Sequence, residues 1–175
     1  MEMKGRVYIY PLLLLSLVFG CAPVISTELK AGADTSITFK EVQQHSDAYK
    51  GKIVLWGGKI IQVLPQADGS TLIEVLNSPL GWWGKPRKTV EFHGKFVILT
   101  TEPLDTSLYK WGNRITLAGE IQGKIEGSNI KELTDSTYQY PVLLSKEMHV
   151  WKHPSYPYSS VPDYRETWEY NPTLR

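Results

Sequence analysis

Residues 114–126 alternate without a break. Ile115, Leu117, Gly119, Ile121, Gly123 and Ile125 fall on one side, and Arg114, Thr116, Ala118, Glu120, Gln122, Lys124 and Glu126 on the other. A period of two sustained over thirteen residues excludes a helix and specifies a long strand with one face inward. Its inward face alternates large aliphatic residues with glycine, which suits the taper of a small closed barrel built from sharply bent strands. Gly119, Gly123 and Gly127 also have small-xxx-small spacing, but they lie in an amphipathic strand, so a membrane helix-dimer motif is the wrong reading.

The flanking sequence supplies partners for that strand. Ile53–Ile61 reads as a strand containing Gly57-Gly58, a pair suited to a bulge or coil in a strand that serves two sheets at once. Ala67-Asp68-Gly69-Ser70 marks a hairpin into Thr71–Val75, and Gly94–Leu99 is a third strand. Tyr140–Trp151 is the last, with Pro141 near its start, where a missing N–H is tolerated. Thr38 and Glu41 have capping-box spacing around Phe39 and Val42, which predicts one short helix over 39–47. Five or six strands and one short helix predict a mainly all-β fold, a small OB-like β-barrel over residues 36–152, with a β-sandwich as the alternative. The 14 glycines, 11 prolines and 11% aromatic content agree with a turn-rich β protein. Roughly 115 folded residues can bury a core without disulfides. A single cysteine excludes a disulfide framework and a cysteine-based zinc cage.

That cysteine closes an export signal. Lys4 and Arg6 precede Val7–Phe19, a 13-residue stretch interrupted only by Pro11 and Ser16. As a helix it would rise about 20 Å, short of the roughly 30 Å hydrocarbon core, so residues 1–20 read as a cleaved signal peptide. The signal ends Leu17-Val18-Phe19-Gly20-Cys21, which resembles a bacterial lipobox: a small residue precedes a thiol that takes diacylglycerol and then becomes an N-acylated N-terminus. An ordinary signal with an incidental or structural cysteine is the competing reading. Ala22 stands where inner-membrane retention signals of enterobacterial type show Asp, which by resemblance points to the outer membrane. Residues 21–35 read as the lipidated cysteine and a flexible tether, and 153–175 as a Pro/Tyr-rich tail. Lys and Arg number 19 against 18 Asp and Glu, so no net charge recruits nucleic acid or a membrane surface.

Sites of chemistry are sparse. The chain has no nucleophile elbow, zincin helix motif, P-loop or dinucleotide fingerprint. His149 and His153 have helical metal spacing but sit at a strand end, where they would be about 13 Å apart, and His45 and His93 lack a recognisable partner. No catalytic residue, metal or cofactor is expected beyond the acyl groups on Cys21. The candidate binding residues are Trp82, Trp83, Lys85, Arg87 and Lys88, between the second and third strands. Indoles beside cations suit headgroups, lipopolysaccharide or glycan. Two structural readings compete: both rings fold back over the barrel end, or, as neighbours in an extended loop, one covers the core and the other is exposed. The tail carries Tyr156, Tyr158, Tyr164, Trp168 and Tyr170 among prolines, and either lies along the barrel or docks on a partner.

Several short motifs occur in a telling order: Cys21-Ala22-Pro23, Phe39 with Val42, Tyr49-Lys50-Gly51-Lys52, Trp56-Gly57-Gly58, Ile73-Glu74-Val75 and Pro79-Leu80. Leu104-Asp105, Tyr109 with Gly112, Ile115-Thr116 with Gly119, and Tyr140-Pro141-Val142 before Trp151 follow. The set resembles the Slp family of starvation-inducible outer membrane lipoproteins of Gram-negative bacteria, over about residues 15–152. Thr106 stands where the family pattern has Pro, and Gly81-Trp82-Trp83-Gly84 is not one of its motifs. The resemblance implies outer membrane residence and a stress-linked role, and carries over no reaction. The expected function is therefore a non-enzymatic, lipid-anchored protein that binds or stabilises something in the envelope. Its partners would be outer membrane lipid, lipopolysaccharide, glycan or an envelope protein. The alternative is an envelope enzyme acting on glycan or lipid, with acidic residues such as Glu74 and Glu120 in a cleft.

Overall fold

The computed structural model describes residues 23–88, 92–102 and 104–152. These contain five strands: β1 (Ile53–Pro65), β2 (Thr71–Asn77), β3 (Lys95–Thr100), β4 (Arg114–Glu126) and β5 (Gln139–Trp151). They close into a barrel in the order β1-β2-β3-β5-β4, with β4 pairing back onto β1. Every pair is antiparallel except β3 with β5. Closure leaves no free sheet edge, and the sandwich alternative falls away.

β1 is the strand that serves two partners. Residues 53–59 pair with β4 and 58–65 with β2, so Gly58 and Lys59 are flanked on both sides. A Cβ on Gly58 would stand 2.1 Å from the Leu76 carbonyl oxygen, so glycine is what admits β2 at this crossing. The bulge expected at the glycine pair lies instead between Ile60 and Gln62.

The barrel interior is filled from β1–β5 by side chains such as Ile60, Ile73, Ile98, Ile115, Leu117 and Leu143. One end is plugged by a short helix whose capping box forms as expected: Thr38 Oγ1 accepts from the Glu41 N–H, and the Thr38 N–H donates to Glu41 Oε2 at 2.8 Å. Such a cap is worth about 1 kcal/mol. The described residues contain two short α-helices, α1 (Thr27–Gly32) and this one, α2 (Phe39–His45), which passes into a 3-10 turn at Ser46–Tyr49. Phe39 packs its ring 5.1 Å from Trp56, which in turn lies 5.5 Å from Phe96.

Three expectations are corrected. Residues 23–35 are not a free tether: Ile25 is buried, the Ser26 N–H donates to Glu147 Oε2 at 2.9 Å, and the Asp34 N–H donates to the Ile53 carbonyl at 2.8 Å. The face of β4 opposite the inward one is covered as well, since Thr116 and Ala118 are buried on it, where one inward face is expected. Ile125 leaves the inward set, since a bulge between Ile121 and Gly123 interrupts the alternation. It packs in a second apolar cluster outside the barrel, where the 127–138 connection covers Leu72, Val97 and Tyr140.

Candidate functional site

The connection after β2 doubles back as a miniature hairpin laid on the outside of the barrel. The Ser78 N–H donates to the Gly57 carbonyl at 3.0 Å, Arg87 N–H to Pro79 at 2.8 Å and Gly81 N–H to Lys85 at 2.8 Å, and Leu80 bridges Pro86. At the tip the Gly84 N–H donates to the Gly81 carbonyl at 2.9 Å, which puts Trp82 and Trp83 at the two central positions of a turn. Gly84 takes a φ of 74°, open to glycine and strained for other residues. Neighbours in a strand point to opposite sides, but neighbours at a turn tip both leave the body of the protein. Trp82 is accordingly 93% and Trp83 73% exposed, and neither ring covers the barrel. Both folded-back readings are overturned by this turn.

The seat of the hairpin is built from small and polar residues. A Cβ on Gly57 would stand 2.6 Å from Leu80 Cδ2 and 2.8 Å from Pro86 Cγ, so its absence lets the hairpin lie flat. Thr116, beside Gly57 on β4, donates through Oγ1 to the Gly84 carbonyl at 2.6 Å and accepts from Trp151 Nε1 at 2.9 Å. Arg114 Nη1 donates to the Pro86 carbonyl at 3.0 Å, and Lys85 Nζ stands 5.0 Å from the centroid of the Trp151 ring. Lys85, Arg87 and Lys88 are exposed. All five expected binding residues therefore belong to one clamped hairpin, with indoles at the tip and cations along the returning arm.

Sequence reasoning missed Trp111. It is 68% exposed in the loop before β4, with Lys59 Nζ 4.6 Å from its ring centroid. Partial burial pulls the Lys59 ammonium below its ordinary pKa, and the π-face of the ring offsets part of that desolvation. Lys110-Trp111-Gly112 repeats the cation, indole and glycine composition of the hairpin, a signal that was available.

The acidic candidates are committed to structure. Glu74 is fully buried under the 127–138 connection. It accepts from Gln62 Nε2 at 2.7 Å and from the Tyr140 hydroxyl at 3.0 Å, from the Thr134 hydroxyl, and from the Thr134 N–H at 3.3 Å. Lys95 Nζ stands 3.9 Å away. Burial, with the Glu74 carboxylate adding to it, pushes the Tyr140 phenol up to about 12. Glu120 pairs instead with Lys146 at 2.7 Å, and hydrogen bonds from Lys146 and Gln122 lower its pKa. A cleft of about 150 Å³ near Phe39, Trp56 and Asn77 has His93 in its lining and no carboxylate. His149 stacks edge-on with Trp151, and His153 lies outside the described residues. Among the described residues no three His, Cys, Asp or Glu side chains gather into a metal site, and no helix is long and apolar enough to cross a membrane.

A family model for the outer membrane lipoprotein Slp family matches residues 18–174. This chain belongs to the Slp family. It is thus an outer membrane lipoprotein of the Slp type, and the match takes in the tryptophan hairpin as well as the barrel. No curated protein sequence matches this Slp chain. Eleven solved chains resemble it. One, a Leishmania major Friedlin protein described as an aspartyl-tRNA synthetase, is 11% identical with a TM-score of 0.40, over 81% of this chain and 26% of that one. The Slp chain therefore spans about a quarter of that protein's length. Cys21 and the tail 153–175 lie outside the described residues.

Proposed function

We propose that this Slp protein is exported through residues 1–20, acylated on Cys21 and held at the outer membrane as a non-enzymatic module that binds or stabilises the envelope under starvation or stress. The strand order supports an OB-like barrel as the scaffold. The reading rests above all on the hairpin: two indoles, 93% and 73% exposed, are presented by a turn that the barrel clamps through Thr116. A ring with an apolar body and one polar edge, followed by Lys85, Arg87 and Lys88, fits an interface carrying phosphate and apolar groups, as in phospholipid headgroups or lipopolysaccharide. A non-enzymatic role is supported by Glu74 and Glu120, whose carboxylates are spent on structural partners.

Two measurements test this. Metabolic labelling with a lipid precursor should mark the native chain, and Cys21→Ser should abolish the label and leave residues 1–20 uncleaved. Label that survives the substitution ends the lipoprotein reading at Cys21. The mature chain carrying Cys21→Ser should sediment with anionic vesicles at low salt and be released at high salt. No sedimentation at low salt would reduce the hairpin to a structural element.

A further inference from the structure

Three separate segments dock on one outer face of the barrel. Cross-strand neighbours on β1, β4 and β5 form three rows there: Leu55, Ala118 and Glu147; Gly57, Thr116 and His149; Lys59, Arg114 and Trp151. Successive rows are about 7 Å apart, two residues along each strand. The N-terminal segment is held on the first row, where Glu147 takes the Ser26 N–H and Ile25 beside it is 1% exposed. The tryptophan hairpin is seated on the second. Trp111 stacks on Lys59 in the third, where Arg114 also holds the Pro86 carbonyl. Among the described residues the exposed large hydrophobics are Trp82, Trp83, Trp111 and Leu108, and all four belong to the two loops that carry these tryptophans.

We infer that this face is apposed to the bilayer, with Trp82, Trp83 and Trp111 in the headgroup region of the same anionic phospholipid membrane that holds the acyl chains of Cys21. The inference rests on the acylation proposed above. The docked N-terminal segment decides the occupant. Three residues separate Cys21 from the buried Ile25, a span of about 14 Å at most over four Cα–Cα steps, against the roughly 50 Å that a free tether would allow. Lipid attached to Cys21 must therefore enter the membrane within about 14 Å of Ile25 on the first row, the row next to the seat of the hairpin. Lys59, Lys85, Arg87, Lys88, Lys110 and Arg114 lie on or around this face and complement anionic headgroups. Of the nearby acidic groups, Glu147 is engaged by Ser26, and Asp105 lies within the field of Lys110 and Lys152.

Cys21 is the only cysteine, so after acylation a single introduced thiol can be labelled without ambiguity. The test uses the full mature lipoprotein in vesicles of phosphatidylethanolamine and phosphatidylglycerol, with a nitroxide on Trp83→Cys, Leu108→Cys or Ser136→Cys. Trp83→Cys leaves Trp82 in place, and Ser136 lies on the connection covering the β2–β3 side. The ratio of oxygen to nickel-chelate collisions should be several-fold higher at 83 and 108 than at 136. Glu147→Ala, which releases Ser26, should shrink that difference with acylation unchanged. Equal ratios at all three positions, in a chain whose Cys21 carries acyl chains by mass spectrometry, overturn the orientation and leave the acylation reading standing. A Cys21 without acyl chains overturns both.

Discussion

Two connections lie on the outside of the same barrel and treat their large apolar residues in opposite ways. The 127–138 connection turns Ile130, Leu133 and Tyr138 inward over Leu72, Val97 and Tyr140, and pairs the polar seam beneath it through Glu74. The 79–87 hairpin turns only Leu80 and Pro86 inward, onto a glycine, and holds two indoles out in water. Burying an aromatic side chain is worth about 2 kcal/mol or more. A barrel able to cover Leu133 and Tyr140 was able to cover a tryptophan. Exposure at the hairpin is therefore a property of the turn that presents the rings, and folding alone gives no reason for it.

The sharpest way to break the comparison is at the sealed face. Glu74→Ala removes the carboxylate that accepts from the Tyr140 hydroxyl and from the Thr134 N–H and hydroxyl beneath the connection, and leaves Gln62 Nε2 only the Glu132 carbonyl and Lys95 Nζ only Thr134 Oγ1. The expected cost is about 3–5 kcal/mol in urea unfolding. Vesicle association per folded molecule should stay as it was. A loss of association matching the loss of stability would mean the two faces are one cooperative unit. Next in size is an alkaline transition. The Tyr140 phenol ionises at about 12 in the folded chain against 10.0 when free, so its contribution is complete below pH 10 and is lost as pH rises through 12. On the order of 2–3 kcal/mol should disappear across that window, and Tyr140→Phe should remove this part of the pH dependence.

The unequal legibility of these regions has a physical basis. The bounds of β4 are legible to the residue because period-two alternation is local, though not the bulge that turns Ile125 out, and the capping box of α2 is legible because Thr38 and Glu41 are three apart. The cover of β4 was not legible: Thr116 is buried by Gly84, 32 residues away, and Glu74 by Thr134 and Tyr140, 60 and 66 residues away. The docked segment 23–35 reads as a tether because its hold on the barrel is one buried isoleucine, a backbone N–H given to the Glu147 carboxylate and another given to the Ile53 carbonyl, which leave no periodicity. Trp82 and Trp83 were recognised as binding candidates from composition. Their geometry was misread because strand alternation was applied to what Gly81 and Gly84 make a turn.

Thr116→Val sharpens the comparison from the other side. The substitution keeps the shape of the side chain but leaves the Gly84 carbonyl and Trp151 Nε1 without the hydroxyl they share. A loss of about 1–2 kcal/mol is expected. Because the hydroxyl ties the hairpin to β4, sedimentation with anionic vesicles should weaken as well, which Glu74→Ala should not cause. A variant as stable and as well bound as the parent would show that Leu80, Pro86 and Arg114 seat the hairpin unaided.

The smallest expected effect on stability is the most informative. Truncating a buried tryptophan typically costs about 3–5 kcal/mol, because the removed ring leaves a cavity. A ring that is 93% exposed leaves no cavity, so Trp82→Ala should shift unfolding by no more than about 0.5 kcal/mol. Trp83→Ala, at 73% exposure, should cost little more. Association of the same variants with anionic vesicles should nevertheless fall several-fold, and the double substitution should leave the salt-sensitive part supplied by the cations of this face together with what Trp111 contributes. Unfolding and sedimentation measured on the same preparations separate the alternatives. A tryptophan that covers core would change stability first and binding as a consequence, whereas a tryptophan presented to a membrane would change binding alone.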